Sequence, residues 1–265
     1  MNHSNILVFD IETIPDIESG RKIHGFHHLT DEQVVQAMLQ SRRQQSDGAE
    51  FVRHHLHRIV AISIVLYTPS RAQPLEVWSL GECDSTEAEL LERFFKGIER
   101  YTPTLVSWNG SGFDLPVIHY RSLLQGVQAS SYWKTDGDFK WDNYLNRYHT
   151  RHTDLMDVLS GFQGRSSAPL DEIAVMLGLP GKMGMSGHKV CSAYLSGDIA
   201  GIRNYCETDV LNTYLVYLRF LWISGHLDVS AYEGRCQQVE HYLKASDKSH
   251  LQEFLGKWKG LACLG

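Results

Sequence analysis

The chain has 265 residues, five cysteines and a formal net charge of −6. This length supports a substantial hydrophobic core, in one α/β domain with additions or in two domains. The odd number of widely spaced cysteines, with no Cys-x-x-Cys pair, excludes a disulfide framework and a structural zinc site, and the acidic charge is not that of a typical nucleic-acid binder.

The start of the chain contains no signal-peptide pattern. An apolar run begins within five residues of the start, and the basic region followed by a longer apolar region that a signal peptide has is missing. The longest apolar run, at 59–67, is too short to span a bilayer. We therefore expect a soluble, cytoplasmic protein with reduced thiols and no membrane partner.

Strands are predicted from short apolar or β-branched runs. Residues 6–9 form a continuous apolar run that is typical of a central strand buried on both faces. Further strands are predicted at 58–67, 74–79 and 104–108, and the first two of these are close enough to pair as a hairpin. Residues 153–159 fit either a fifth strand or a strand that passes into a helix.

Helices are predicted from apolar residues at helical spacing and from capping residues. Thr30 and Gln33 have the spacing of a capping box at the start of one helix. The other predicted helices span 84–101, 115–124, 169–177, 198–224, 232–243 and 251–258, and 181–187 is predicted to be a loop. This order of strands and helices favours a mixed sheet with helices on both faces.

The predicted organisation is one α/β domain over residues 1–225 with a C-terminal helical extension. Two polar insertions interrupt the domain, at about 16–57 and 125–152. The extension, 226–265, contains amphipathic helices and is expected to pack on the same domain.

Asp10 and Glu12 lie at positions i and i+2 at the end of the first predicted strand. Their carboxylates therefore point to one face, roughly 6.6 Å apart along the backbone. Two acids on the same side of a buried strand need a compensating charge. The same spacing recurs in Asp16 and Glu18, which are expected to lie in a polar loop where solvation suffices.

Tyr205 and Asp209 lie one helical turn apart on the predicted helix 198–224. Their face is apolar enough that Asp209 is expected to point inward, where a buried acid requires a partner such as a metal ion. Two other pairs have the same Tyr-x-x-x-Asp spacing. Tyr132 and Asp136 lie in the polar insertion, and Asp198 of the pair Tyr194 and Asp198 is expected to start a helix. An ordinary core aromatic is the alternative interpretation of Tyr205.

Asp114 follows a predicted strand and the turn-forming residues 109–112. It is either the cap of the next helix or a ligand at a strand end, where α/β folds place binding sites. Four converging acids are best explained by two divalent cations, which together stabilise the attacking and leaving oxygens of a phosphodiester displacement. Carboxylates are also the ligands that hard divalent ions prefer.

Three segments together resemble a known family. Phe-Asp-Ile-Glu-Thr at 9–13, Trp-Asn-Gly-Ser-Gly-Phe-Asp at 108–114 and Tyr-Cys-Glu-Thr-Asp at 205–209 resemble the exonuclease motifs of the DEDD superfamily, in its tyrosine-containing branch. The first two are most similar to the proofreading domains of family-B DNA polymerases. The chain contains no polymerase domain, so it resembles the stand-alone predicted 3′–5′ exonucleases related to those domains, over residues 5 to about 222.

The resemblance implies a fold, a reaction and a set of site residues. The implied fold is a ribonuclease-H-like mixed five-stranded sheet flanked by helices. The implied reaction uses two Mg²⁺ or Mn²⁺ ions and releases nucleoside 5′-monophosphates from the 3′ end of single-stranded nucleic acid, with DNA favoured. By motif position the implied metal ligands are Asp10, Glu12, Asp114 and Asp209, the water-orienting residue is Tyr205, and the contacts to the terminal nucleotide are Thr13, Asn109 and Phe113.

Two rival functions and two unassigned segments remain open at this stage. The rivals are a catalytically silent nucleic-acid-binding subunit with the same fold and a metal-dependent hydrolase of small nucleotides, which the acidic charge would suit. The His-rich segment 24–57 is a cationic strand guide or a set of solvated and packed histidines. The aromatic residues Trp141, Tyr144 and Tyr148 either stack on unpaired bases or form a packed stripe.

Overall fold

The protein is built around a mixed five-stranded sheet, seen in a computed structural model that describes residues 4–45 and 51–258. The strands are β1 (Ile6–Pro15), β2 (His57–Tyr67), β3 (Leu75–Ser79), β4 (Thr104–Ser107) and β5 (His152–Asp154). Their order is β3-β2-β1-β4-β5, so β1 is central. The β1–β2 and β2–β3 pairs are antiparallel, whereas β1–β4 and β4–β5 are parallel. The predicted mixed five-stranded sheet flanked by helices is confirmed, and so is the hairpin of β2 and β3.

Helices cover both faces of the sheet. In the described part of the chain they are α1 (Ile17–His24), α2 (Asp31–Gln45), α3 (Glu87–Tyr101), α4 (Asp114–Gln125), α5 (Leu155–Leu159), α6 (Leu170–Met176), α7 (Gly187–Leu195), α8 (Ile199–Ile223), α9 (Val229–Ala245) and α10 (Ser249–Lys257). None of them combines the length and the apolar character that crossing a bilayer requires.

The side chains of β1 point alternately to the two faces of the sheet. Leu7, Phe9 and Ile11 pack in the cluster formed with α3 and α4, whereas Ile6 and Val8 pack in the cluster formed with α8, α9 and α10. Because side chains alternate along a strand, the even-numbered residues that follow continue the face toward α8. The period of two in the sequence thus aims the acids at positions 10 and 12 toward one helix.

The central strand is longer than predicted. β1 continues beyond the predicted run 6–9 to Pro15, and its polar residues pair with β2, with Asp10 opposite Ser63 and Glu12 opposite Ala61. The pairing with β4 ends at Val8, so β2 alone holds this extension through its backbone hydrogen bonds. Residues 153–159 follow the second predicted alternative, a strand that passes directly into a helix, here β5 and α5.

The segment between β1 and β2 contains two helices. The predicted capping box is confirmed, since Gln33 Oε1 accepts from Thr30 N–H at 3.0 Å and Thr30 Oγ1 accepts from Gln33 N–H at 3.4 Å. The sequence interpretation missed α1, which is short and has few apolar residues, and also α7. Part of the His-rich segment, residues 46–50, lies outside the described residues.

The expected polar-loop setting of Asp16 is wrong. Asp16 is 5% exposed, caps α1 by accepting from Ser19 N–H at 3.2 Å, and forms a buried ion pair with Arg121 of α4. Arg121 also forms two bonds to Glu87 at the start of α3, at 2.6 and 2.8 Å. This network joins three helices beneath β1 and β2, and it lies apart from the quartet Asp10, Glu12, Asp114 and Asp209.

The C-terminal helices pack on α8 and on the sheet edge. Glu207 of α8, which is 4% exposed, accepts hydrogen bonds from Lys248 at 2.9 Å and from His250 at 2.8 Å, and from Ser79 N–H of β3 at 2.9 Å. Leu251 and other buried side chains of α9 and α10 belong to the same apolar cluster as α8. One carboxylate therefore fastens the chain after α9 to both the helix and the edge strand.

Candidate active site

Two acids on β1 begin the candidate site. Glu12 is 7% exposed and Asp10 is half-buried, and both lie on the face of β1 that meets α8. The register with β2 shifts between Glu12 and Thr13, which marks a bulge directly after the second acid. A bulge locally changes the direction of a strand, and here the pairing with β2 resumes at Thr13 in a shifted register.

Asp114 reaches the same place from the start of α4. It is 4% exposed, and its Oδ1 accepts from the N–H of Ile11, the residue between Asp10 and Glu12, at 3.1 Å. The alternative role as cap of α4 is not what the side chain does, because the residue before the helix is Phe113 and the Asp114 carboxylate bonds across to β1. The bond fixes this carboxylate beside the other two.

The helix α8 supplies the fourth acid and the tyrosine. Asp209 is 8% exposed and Tyr205 is 5% exposed, and the Tyr205 hydroxyl hydrogen-bonds the Asp209 carboxylate. Cys206 is fully buried on the same side, with its thiol 3.4 Å from the Asp10 carbonyl oxygen and 3.5 Å from Asp10 Oδ2. Because i+3 and i+4 neighbours share a helix face, one face of α8 presents all three groups to β1.

The pKa of each acid in the quartet is raised above its usual value. Burial is the largest cause for all four, and it raises the pKa of Asp114 and of Asp209 to about 7. For Asp10 and Glu12 the pKa is raised well above the usual range by burial, followed by the charges of the other acids of the quartet. Burial, followed by the charges of Asp209 and Glu12, likewise raises the pKa of the Tyr205 hydroxyl, which stays protonated.

Lys182 is a cation whose charge acts on these acids. It lowers the pKa of Glu12 and of Asp209, and it lies in the loop between α6 and α7. That loop is fixed at two points, since Asn212 Nδ2 donates to Gly181 O at 2.9 Å and Lys182 N–H donates to Asp171 Oδ1 at 2.6 Å. The sequence interpretation treated this segment only as a loop.

Thr13 and Phe113 meet around a buried histidine. His57 Nδ1 lies 2.8 Å from Thr13 Oγ1, and the His57 ring packs edge-on against Phe113 with centroids 5.0 Å apart. His57 Nε2 lies 3.1 Å from Val52 O, and burial lowers the pKa of His57 to about 4. Because a carbonyl oxygen can only accept, Nε2 carries the proton and Thr13 donates to Nδ1.

Asn109 stands at the turn that leads to Asp114. It has a left-handed backbone with φ of 63°, and its N–H donates to Asp154 Oδ1 at 2.9 Å. Asp154 Oδ2 accepts from Ser111 N–H at 2.8 Å, so one carboxylate holds two successive turns of the loop. Asp154 also caps α5. In the sequence it stands second in the predicted segment 153–159, directly before the residues that form α5, which is the position of a helix cap.

The donor chemistry fits divalent cations. Four carboxylates meet where little water reaches them, and within the described ranges Asp10, Glu12 and Cys206 place one ligand atom each within 4.8 Å of one another. Three of the four quartet acids are more than nine-tenths buried. Buried negative charges at this density require cations or protons.

The unassigned aromatic patch divides between the two alternatives. Tyr144 is buried and stacks on Tyr132 with ring centroids 5.6 Å apart, whereas Trp141 and Tyr148 are 78% and 76% exposed. The packed stripe is therefore correct for Tyr144 and wrong for the other two.

Comparison with known proteins gives a family and one related structure. A family model described as "Predicted 3′-5′ exonuclease related to the exonuclease domain of PolB" matches residues 49–258. Among solved structures, the chain is similar to the family B DNA polymerase from the hyperthermophilic archaeon Pyrobaculum calidifontis, with a TM-score of 0.48 and 15% identity. That similarity covers 89% of this chain and 26% of the polymerase, so the chain spans about a quarter of its length. No match was found among curated proteins.

The family match covers most of the chain and two of its three motif segments. It contains Asn109, Phe113 and Asp114 as well as Tyr205 and Asp209, and it begins after the β1 acids. The structure brings the β1 acids to the matched motifs through the bond from Ile11 to Asp114. By this match the chain belongs to the predicted 3′–5′ exonucleases related to the exonuclease domain of PolB.

Proposed function

We propose that the chain is a two-metal-ion 3′–5′ exonuclease. It would hydrolyse the phosphodiester bond at the 3′ end of single-stranded nucleic acid, with DNA favoured, and release nucleoside 5′-monophosphates. The observation that carries this proposal is the meeting of four carboxylates from three elements at one largely buried place, where burial raises all four pKa values and the charges of neighbouring quartet acids raise those of Asp10 and Glu12 further. Such an arrangement costs stability, so it is kept for a function.

The quartet would hold two Mg²⁺ or Mn²⁺ ions. Its ligands are carboxylate oxygens, which these ions prefer. When bound, the ions would supply neutralisation of the phosphate charge and activation of water at neutral pH. Asp114 is oriented for this task by the Ile11 N–H, which occupies one of its oxygens at 3.1 Å and directs the group toward β1.

Tyr205 would orient the attacking water without taking its proton. Its raised pKa keeps the hydroxyl neutral, so it is a hydrogen-bonding group and not a general base. The bond to Asp209 fixes the position of the hydroxyl beside the acids. Lys182, whose charge already acts on Glu12 and Asp209, would attract the phosphate of the strand.

Thr13 and Phe113 would receive the terminal nucleotide. The Thr13 hydroxyl donates a hydrogen bond to His57, so the lone pairs of its oxygen would remain able to accept a hydrogen bond from a hydroxyl group of the sugar. Phe113 is partly exposed and packs against the rings of His54 and His57, and its exposed side would stack on the terminal base. Asn109 would shape the pocket through the turn that Asp154 holds.

The proposed enzyme would be a cytoplasmic protein with one catalytic domain over 1–225. The reduced-thiol composition supports that location, since no disulfide joins cysteines within residues 4–45 and 51–258. The extension from 226 would pack on the same domain, which the bonds from Lys248 and His250 to Glu207 support.

The test is a degradation assay on matched DNA and RNA oligonucleotides with Mn²⁺. A 5′-labelled strand is expected to give a ladder that shortens from the 3′ end, whereas a 3′-labelled strand releases its label at once as a mononucleotide. Asp10→Ala and Asp209→Ala are expected to abolish hydrolysis with unchanged circular dichroism. Asp136→Ala, at the exposed copy of the Tyr-x-x-x-Asp spacing, is the matched control and retains activity.

The rival functions give different results in the same assay. A silent binding subunit would retain the labelled strand without shortening it. A hydrolase of small nucleotides would consume free nucleotides and leave both labelled strands intact. Turnover by the wild type in excess chelator would contradict the metal-dependent mechanism.

A further inference from the structure

Cys206 is a soft ligand placed among hard ones. Its sulfur lies 3.5 Å from Asp10 Oδ2, and the ligand atoms of Asp10, Glu12 and Cys206 all lie within 4.8 Å of one another. No other group of three such donors is found in residues 4–45 and 51–258. The proposed exonuclease reaction takes its metal ligands from the carboxylates alone and gives this thiol no role.

We propose that Asp10, Glu12 and Cys206 form a binding site for a thiophilic divalent cation such as Zn²⁺ or Cd²⁺. The inference rests on the proposed function only in taking the same carboxylates as metal ligands, and it requires no turnover. Thiolate ligands select zinc and its heavier relatives, whereas Mg²⁺ and Mn²⁺ prefer oxygen. The site would therefore exchange its catalytic ions for an inhibitory one.

The distances suit such an ion. Zinc binds sulfur at about 2.3 Å and carboxylate oxygen at about 2.1 Å, and in tetrahedral geometry these lengths separate the two donors by roughly 3.6 Å. The observed separation of Cys206 Sγ from Asp10 Oδ2 is 3.5 Å. The thiol and this oxygen are thus already spaced as two ligands of one tetrahedral ion.

Glu12 provides an independent indication of a ligand. Its side chain is 7% exposed, and among the described residues no hydrogen-bond donor acts on its carboxylate. An ionised carboxylate so deeply buried without a hydrogen-bond donor is costly. A cation bound by this oxygen and by the Cys206 sulfur would remove that cost.

Binding is a proton exchange without electron transfer. As the ion enters, the Cys206 S–H bond breaks, its proton leaves to solvent, and the electron pair of the sulfur forms the bond to the metal. The three ligands then carry three negative charges against the two positive charges of the ion, with the fourth position open to water. Lys182, whose charge acts on Glu12, offsets the remaining charge.

The test is titration of the full-length protein with Cd²⁺ while the ultraviolet thiolate-to-cadmium charge-transfer band is recorded. The background protein carries Cys83→Ser, Cys191→Ser and Cys263→Ser, so that Cys206 and Cys236 remain. We expect the band to saturate at one equivalent, to disappear with Cys206→Ser, and to persist with Cys236→Ala. Cys236 is the matched control because it is also buried but lies in the apolar cluster beside Tyr232.

Two further measurements complete the test. Asp10→Asn is expected to weaken Cd²⁺ binding by more than about tenfold, a loss that even an outer-shell change can cause. X-ray absorption of the zinc-loaded background protein is expected to show one sulfur at about 2.3 Å. This measurement decides the matter if Cys206→Ser does not fold.

A band that survives Cys206→Ser, or a zinc shell of oxygen and nitrogen alone, overturns the inference. Its failure is distinguishable from failure of the proposed function. Without exonuclease activity the Cd²⁺ band is still expected, and without the band Mn²⁺-dependent hydrolysis can still proceed.

Discussion

The Thr13 hydroxyl donates a hydrogen bond to Nδ1 of His57, 2.8 Å away. The direction of this bond is set by Val52, whose carbonyl oxygen 3.1 Å from Nε2 can only accept. The segment before β2, which contains Val52, therefore sets the direction of the Thr13 hydrogen bond through His57. This links the predicted insertion at about 16–57 to the proposed nucleotide pocket.

Thr13→Val tests this relationship. The variant removes the acceptor offered to the sugar, so we expect KM for an oligonucleotide to rise by roughly five- to tenfold, the equivalent of one hydrogen bond of about 1 kcal/mol. The value of kcat is expected to change little, because the lost contact is made equally before and during the reaction. Steady-state kinetics with Thr13→Ser, which keeps the hydroxyl, is the control. An equal rise in KM for both variants would show that the methyl group, not the hydroxyl, matters.

Tyr205→Phe removes the hydroxyl that is bonded to Asp209. We expect kcat to fall by roughly ten- to a hundredfold, below the full range of acid–base catalysis, with KM nearly unchanged. Because burial raises the Tyr205 pKa, no alkaline limb of the pH–rate profile belongs to this group. Profiles of the wild type and the variant are therefore expected to be parallel up to pH 10. A limb that disappears in Tyr205→Phe would make the tyrosine a titrating base.

The quartet makes the metal-free protein less stable at higher pH. Asp114 and Asp209 have a pKa of about 7, against 3.8 for an ordinary aspartate. A raised folded-state pKa gives stability that is present below about pH 4 and is lost as the pH rises through 7. Thermal unfolding in chelator is expected to show a lower Tm at pH 8 than at pH 6.5. His57, whose lowered pKa acts only below pH 6.5, does not enter this window.

Binding of metal ions, or removal of one of the acids, is expected to restore the stability lost at high pH. Mn²⁺ is expected to raise Tm, and by more at pH 8 than at pH 6.5, because it binds the ionised folded form. Asp209→Asn is expected to raise the metal-free Tm at pH 8 and to flatten its pH dependence, while it abolishes hydrolysis. If the wild-type protein in chelator has the same Tm at pH 8 and at pH 6.5, the raised pKa values of Asp114 and Asp209 are contradicted.

Arg121→Met breaks the buried network with Asp16 and Glu87. Arg121 is 3% exposed, so its loss leaves two carboxylates unpaired in the interior. We expect the free energy of unfolding to fall by about 3–5 kcal/mol in urea denaturation. Lys96→Met, which removes an exposed pair with Glu92 in α3, is the control and is expected to cost about 0.5 kcal/mol or less. Similar losses for both variants would contradict the buried role of Arg121.

The sequence by itself determined the parts of the site that depend on short-range geometry. Asp10 and Glu12 share a face because a strand has a period of two, and Tyr205 and Asp209 share a face because a helix has i,i+4 neighbours. Apolar runs and caps located the strands and most of the helices. These features depend on the local backbone, which neighbouring residues specify.

Only the tertiary structure decided what lies opposite these residues. Asp16 has the same local pattern as Asp10, yet it meets Arg121 of α4 and becomes part of a buried ion pair. Cys206 and Lys182 act on the acids through contacts that cross from α8 and from the α6–α7 loop. The sheet order, with β1 at the centre, brings these distant segments together. Burial and charge pairing depend on which segments meet in space, and a local pattern does not specify that.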